Sequence, residues 1–303
     1  MAFGRTVFIG NPAANNGAGA ADIAALESLA QANAASFSSL EFIRTAGPGD
    51  AAARARAVEA DLVVAVGGDG TIHEVVSGLM ERPPADRASL GVIPCGNGND
   101  FARTLGMPVG VVQAFPALLA AEERPLDVGL CNGVPFMQTL SFGLDAAIAL
   151  GTHDRRARTG QTGTSLFVSE GIEQLLHHRD EYAFEAAFDG MAERGRMMMF
   201  AVQNGRTYGG GFDICPEAEP SDGMLDICYA SAPLGLVPAL LLFLRAKGGN
   251  HVGSRKMTFH RVRALDVAFD PSPPAQIDGE RIESPRYRVQ IEPAALSVLF
   301  ARR

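Results

Sequence analysis

The chain has 303 residues, enough for two domains or one large α/β domain, which excludes a peptide or a disulfide-built mini-scaffold. With 47% hydrophobic and 20% charged residues, 34 Gly and 18 Pro, it can bury a large core and is rich in turns rather than disordered. A formal charge of −8, with Lys247 and Lys256 as the only lysines, argues against a general nucleic-acid binder.

Up to about residue 125, short apolar runs alternate with helix-like stretches, the signature of βαβ units and a mostly parallel sheet. Strands are predicted at 6–9, 40–44, 62–66 and 90–94, and helices at 21–35, 50–60 and 71–80, Asp50 serving as an N-cap. Ligands of such sheets bind at the carboxyl ends of the strands. After Pro125 the pattern changes: Asn132-Gly133 and Asp189-Gly190 each separate two strand-like runs, a hairpin signal that belongs to antiparallel sheet. Further strands are predicted at 197–202, 225–229, 265–269, 287–291 and 296–300, with helices at 165–178 and 234–245. The expected fold class is an α/β N-terminal domain over 1–125, a parallel sheet with helices on both faces. A β-rich antiparallel domain over 126–303 follows, its last strand placed to return to the first domain.

Cys95, Cys131, Cys215 and Cys228 are widely spaced with no C-x-x-C pair, as suits reduced thiols in a cytoplasmic protein. The first residues lack a basic n-region, a long apolar run and a small-residue cleavage site, so no signal peptide is expected. The longest apolar run, 234–244, contains Gly235 and Pro238 and is about half the ~20 residues a spanning helix needs.

The strand at 62–66 feeds into Gly67-Gly68-Asp69-Gly70-Thr71 and then an amphipathic helix. Glycines between a strand and a helix bring backbone N–H groups up to phosphate oxygens. An acidic residue amid them makes sense if Mg²⁺ or an attacking hydroxyl lies between; the plain alternative is a βα turn with a surface Asp. No G-x-x-x-x-G-K-[ST] string occurs, which rules out a Walker-type site.

Asn11-Pro12, Gly67-Gly68-Asp69-Gly70-Thr71, Pro94-Cys95-Gly96-Asn97-Gly98-Asn99-Asp100, Leu126-Asp127-Val128-Gly129, Gly209-Gly210-Gly211, Asp222-Gly223-Met224-Leu225-Asp226 and Asp278-Gly279-Glu280 occur in this order. Together they resemble the diacylglycerol kinase catalytic-domain family, which includes bacterial lipid kinases and the related sphingosine kinases. The resemblance runs from about Asn11 to Glu280. It implies a lipid kinase with ATP in a cleft between an α/β domain and a β-sandwich-like domain. Asn11, Pro12, Thr45, the Gly67 to Thr71 turn, Asn97, Asn99 and Asp100 are the implied nucleotide contacts. Glu280 is the implied general base, supported by Asp278, with Asp69 orienting metal or acceptor. A structural Mg²⁺ is implied at Asp222 and the carbonyls of Glu219 and Met224, with Asp127 organising its waters, and a second Mg²⁺ arrives with ATP near Asp69. Without the family, Asn99 reads as a helix cap, and Asp278-Gly279 and Asp222-Gly223 as hairpin turns. Two departures stand out: Asn97 replaces a hydroxyl, and Ala13-Ala14-Asn15-Asn16 replaces the usual Ser-Gly and Lys content of the first loop.

Arg245, Lys247, His251, Arg255, Lys256, His260, Arg261 and Arg263 directly follow the apolar run, with Arg155, Arg156 and Arg158 as further candidates. Such a region can meet anionic lipid heads at the inner face of a membrane, or be a buried helix followed by a solvated basic loop. His73 is expected to face solvent, and His177-His178 to end a helix. A lipid-alcohol kinase is the leading expectation, and a homodimer is compatible with it. The alternatives are a kinase of a soluble acceptor, as in NAD kinases and phosphofructokinases, and a non-catalytic lipid-binding protein.

Overall fold

The computed structural model describes residues 3–302. They form two compact units, Met1–Leu126 with Ala294–Arg303, and Asp127–Pro293.

The first unit runs β1 (Phe3–Gly10), α1 (Gly19–Ala32), β2 (Phe37–Arg44), α2 (Asp50–Ala57), β3 (Leu62–Gly67), α3 (Asp69–Met80), β4 (Ser89–Pro94), α4 (Asp100–Thr104) and α5 (Val111–Leu119), then enters β5 (Glu122–Cys131). Its strands pair in parallel in the order β4-β3-β1-β2. All six residues of β3 are buried, which requires cover on both faces and explains why Leu-Val-Val-Ala-Val does not alternate with polar residues. Helix α1 packs with α5, and α2 with α3. The short α4 starts where Asn99 reads as a helix cap, whereas α5 has no counterpart among the predicted helices; Pro116 in its interior weakens its helical signal.

The second unit continues with β6 (Val134–Phe136), β7 (Thr139–Gly143), α6 (Leu144–Thr159), α7 (Gly163–His177), β8 (Tyr182–Phe188), β9 (Met191–Gln203), β10 (Thr207–Tyr208), β11 (Phe212–Asp213) and β12 (Leu225–Ser231). Helix α8 (Leu236–Ala246), β13 (Met257–Val262), β14 (Ala264–Asp270), β15 (Ala275–Ile277), β16 (Glu280–Arg281) and β17 (Tyr287–Phe300) complete it. The pairs β5–β6, β7–β9, β7–β15, β8–β9, β8–β14, β9–β12, β10–β11, β12–β13, β14–β17 and β15–β16 are antiparallel. The long β9 organises them: its first half pairs with β8, and its second half lies between β7 and β12. Phe200 and Val202 point into a core of Phe142, Phe184, Tyr229 and Tyr287, while Ala201 and Met199 point to the opposite face with Phe243 and Phe167. Helices α7 and α8 therefore cover one face of this sheet, as the period of two demands.

Two sequence expectations change here. The strands predicted at 287–291 and 296–300 are one strand, β17, continuous through Pro293 and Ala294; its end pairs in parallel with β4, Val298 opposite Leu90. Part of the supposed basic loop is strand β13, paired to β12.

Candidate active site

In the first unit, parallel pairing in register sets the carboxyl ends of the strands side by side: Gly10 opposes Arg44 and Val66, and Gly67 opposes Pro94. This edge gathers Asn11, Pro12, Thr45, the Gly67 to Thr71 turn and the 96–100 loop. A Cβ on Gly96 would stand 2.3 Å from the Cα of Gly68, so the two loops meet backbone to backbone, and only glycine permits it. Helix α3 begins at Asp69 and presents its N-terminal amides at the turn, an electropositive end for an anion.

The carboxylates here have assigned neighbours. Asp69 Oδ1 accepts from the Phe101 N–H at 3.3 Å, and Asp100 Oδ1 accepts from Arg103 at 2.6 Å. Asp69 Oδ2 and Asp100 Oδ2 lie 2.6 and 3.4 Å from the point a Gly98 Cβ would occupy. Two carboxylates thus border a space that exists because residue 98 has no side chain. Such hard oxygens beside a phosphate cradle fit an Mg²⁺ carried by a nucleotide.

Asn99, at φ 53°, donates to the Gly96 carbonyl at 2.7 Å and accepts from the Gly96 N–H at 2.9 Å. Its amide braces its own loop, and it makes no side-chain cap to α4. Asn11 likewise accepts from the Ala13 N–H at 2.9 Å, steadying the first loop. Thr45 is buried with its N–H bonded to Gly10, and Asn97 is half-buried. His73, expected to face solvent, is buried on α3.

In the second unit the Asp278-Gly279-Glu280 turn joins β15 to β16. Asp278 does not support Glu280 by contact. Its carboxylate accepts from the N–H groups of Met137, Gln138 and Thr139 at 2.8, 3.0 and 3.0 Å, and Gln276 accepts from the Gly279 N–H at 2.7 Å. Each bond to an ionised acceptor is worth about 1.5–3 kcal/mol net, so Asp278 ties the turn firmly to the backbone of 137–139. Glu280 is exposed, and its carboxylate has no hydrogen bond or ion pair among the described residues.

Asp127 and the Asp222 loop are brought together: Asp127 Oδ2 accepts from the Gly223 N–H at 2.7 Å, and its own N–H donates to Pro220 at 2.8 Å. Buried Asn204 donates to the carbonyls of Asp127 and Met137 at 2.8 and 3.1 Å. The Asp222 loop is thereby linked through Asp127, Asn204 and Met137 to Asp278. Asn204 and Gln276 carry this network and were missed, because single amides have no spacing that announces them.

The Asp222 loop does not fit a resident Mg²⁺. Asp222 Oδ1 accepts from the Met224 N–H at 2.9 Å and Oδ2 pairs with Arg261, which also lies 3.7 Å from Asp226. The Glu219 carbonyl accepts from the Asp222 N–H at 3.4 Å. A guanidinium thus stands against the carboxylate expected to hold the cation. Burial raises the Asp226 carboxyl to about 6, with Arg261 opposing the rise and Asp222 adding to it.

The basic stretch is also divided. Arg261 belongs to this loop and His260 pairs with Glu193 at 3.0 Å, while His251 is buried. Arg155 pairs with Glu170 and Glu173, which removes it from any lipid-facing patch.

Beneath α8 lies a cavity of about 70 Å³, lined by Ile148, Met198, Leu234, Leu242 and Phe243, with Asp145 and His251 as its polar members. Burial raises the Asp145 carboxyl to about 6, opposed by the hydrogen bond from the Tyr208 hydroxyl to Oδ1; Oδ2 has no hydrogen-bond partner. His251 Nε2 donates to the Ile214 carbonyl at 3.0 Å, and burial lowers the pKa of the ring. A neutral ring so bonded leaves Nδ1 as an unpartnered acceptor.

Known proteins match this arrangement along the whole chain. The family model for the diacylglycerol kinase catalytic domain matches residues 5–131, and that for the YegS C-terminal NAD kinase beta sandwich-like domain matches residues 138–300. A Pseudomonas aeruginosa protein named "Probable lipid kinase YegS-like" is 32% identical over 78% of this chain and 75% of its own. The Bacillus subtilis protein named diacylglycerol kinase is 31% identical over 76% and 74%. A crystal structure of a diacylglycerol kinase from Bacillus anthracis shares the fold at TM-score 0.75 and 21% identity, covering 99% of this chain and 98% of that one. With the glycine-rich edge, the Asp278-Gly279-Glu280 turn and these matches in agreement, the chain belongs to the diacylglycerol kinase family, a kinase with a catalytic domain followed by a YegS-type C-terminal domain.

Proposed function

We propose that this kinase transfers the γ-phosphate of Mg²⁺-bound ATP to the hydroxyl of a lipid alcohol. The observation that carries the lipid over a soluble acceptor is the cavity under α8, whose wall is aliphatic and aromatic. A sugar phosphate or a dinucleotide needs several charged or hydrogen-bonding partners, whereas an acyl body needs apolar surface, gaining about 25 cal/mol per Å² buried. Asp145 and His251 offer acceptor atoms for a donor near the lipid head.

The amides of Gly67 to Thr71 and the start of α3 hold the ATP phosphates. Asp69 and Asp100 would hold the nucleotide's Mg²⁺, which neutralises charge on the phosphates when bound. Glu280 takes the proton from the acceptor hydroxyl as its oxygen bonds to the γ-phosphorus and the bond to the ADP oxygen breaks. General-base assistance of this kind contributes ~10²- to 10⁴-fold. Asp278 keeps Glu280 in place through the backbone of 137–139. Such a kinase works at the cytoplasmic face of a membrane, where ATP and acceptor meet.

The test is labelled ATP with Mg²⁺ and mixed micelles of lipid alcohols, beside NAD and fructose 6-phosphate, with Glu280→Ala as control. Label in an organic-extractable product, lost in the variant, is expected. Label only in water-soluble product would replace this reading with the soluble-acceptor one.

A further inference from the structure

Helix α8 is apolar on both sides. Ala239, Leu242, Phe243 and Ala246, spaced i, i+3, i+4, i+7, line the cavity. On the other side Val237, Leu241 and Leu244, spaced i, i+4, i+7, are 67%, 50% and 51% exposed. A helix packed on one face of a water-soluble domain normally carries polar residues on the other, and 236–244 contains none. A single exposed leucine needs no explanation, but a continuous stripe of three does.

The charge around the stripe is as uneven. From Asp226 to Asp266 the sequence has no intervening Asp or Glu, on a chain of net charge −8. Arg245, Lys247, Arg255 and Lys256 are exposed, without an acidic partner among the described residues, unlike Arg261 and His260 of the same stretch. These cations bracket the helix. Arg245 and Lys247 stand at its C-terminal end, and Lys256 Nζ donates to the Pro233 carbonyl, just before its start, at 3.4 Å. Eleven residues are too few to cross a bilayer, so an apolar face of this length between cations lies flat in the interface.

We infer that α8 docks on an anionic bilayer, with Val237, Leu241 and Leu244 entering the boundary between headgroups and acyl chains and Arg245, Lys247, Arg255 and Lys256 meeting lipid phosphates. The helix is then the partition between bilayer and cavity. Its purpose rests on the lipid-acceptor reading above, but the docking itself needs neither ATP nor turnover.

The sequence has no tryptophan, so Leu241→Trp supplies a single fluorescent reporter. With phosphatidylcholine vesicles containing phosphatidylglycerol, its emission should shift to the blue and be quenched by acyl-brominated lipid. Phosphatidylcholine alone should bind at least ~10-fold more weakly. In cosedimentation, Val237→Gln with Leu241→Gln and Leu244→Gln should weaken vesicle binding at least ~10-fold, and Lys247→Glu with Lys256→Glu should remove the preference for phosphatidylglycerol. Met191→Gln, at an exposed apolar site on β9, should bind as the native chain does. The triple variant should still phosphorylate a short-chain acceptor dispersed as monomers. An unshifted reporter, equal binding to both vesicle types, or a reporter that shifts with protein concentration alone would overturn the docking. If the reporter enters vesicles while no lipid is phosphorylated, the docking stands and the acceptor reading falls. If the short-chain acceptor is phosphorylated while the reporter stays in water, the reverse holds.

Discussion

The two units carry their candidate residues on different material. At the strand edge of the first unit the candidate groups are backbone amides, and the residues that shape it are those that lack a side chain: Gly68 and Gly96, which leave no room for a Cβ between them, and Gly98 beside Asp69 and Asp100. In the second unit the candidate group is one carboxylate, Glu280, on a turn held by its neighbours Asp278 and Gln276 and linked to the buried, distant Asn204 and Asp127. A backbone site fails when an atom is added, and a side-chain site fails when one is removed.

The contrast is tested most severely at Glu280. Glu280→Gln keeps the shape of an exposed residue while removing the base, so the turnover number should fall ~10²- to 10⁴-fold with an unchanged melting temperature. A variant that turns over normally would move the base elsewhere. Asp278→Ala should do the opposite first: three N–H groups lose their acceptor, and urea unfolding should show a loss of at least ~4 kcal/mol together with reduced turnover. If its stability matches the native chain, the turn is not mounted as described.

Asp145 sharpens the comparison through pH. Its folded-state pKa, about 6, lies above its ordinary 3.8, so between those values the native state binds more protons than the unfolded state. Stability therefore falls as pH rises through this window, by ~3 kcal/mol for a shift of about two units. Denaturation series at pH 4 and pH 7 should show that fall in the native chain and a smaller one in Asp145→Asn. Asp226, whose pKa is raised in the same direction, adds to the slope. The smallest effect is expected at Gly98→Ala. Its new Cβ would sit 2.6 Å from Asp69 Oδ2, a side-chain atom rather than backbone, so the carboxylate shifts while the chain path stays. A displacement of about this size should cost ~10- to 100-fold in kcat/KM for Mg²⁺-ATP with the fold intact.

Legibility follows the same division. The strands of the first unit announce themselves because parallel strands buried on both faces are continuous apolar runs, and its loops because glycine strings lie contiguous in sequence. Helix α6 was not expected: its sequence passes from apolar Leu144 to Leu150 into polar Asp154 to Thr159 without a clear helical stripe. Strand β13 was hidden among cations because it pairs only with β12 and is therefore an edge, where charged residues are the rule. The basic stretch looked uniform, yet contacts with Asp222, Asp226 and Glu193 take Arg261 and His260 out of it.

By itself the sequence determined the α/β then antiparallel order of elements, the glycine-rich turn and the family, since these rest on local periodicity and on motifs whose residues are neighbours in the chain. The tertiary structure decided what the side chains are for. It turned Asp278 and Asn99 into braces, put Arg261 where a cation was expected, and left the outer stripe of α8 in water. Those assignments depend on partners up to about 140 positions away, and a carboxylate's role is set by which donor reaches it first, a contact that no local pattern records.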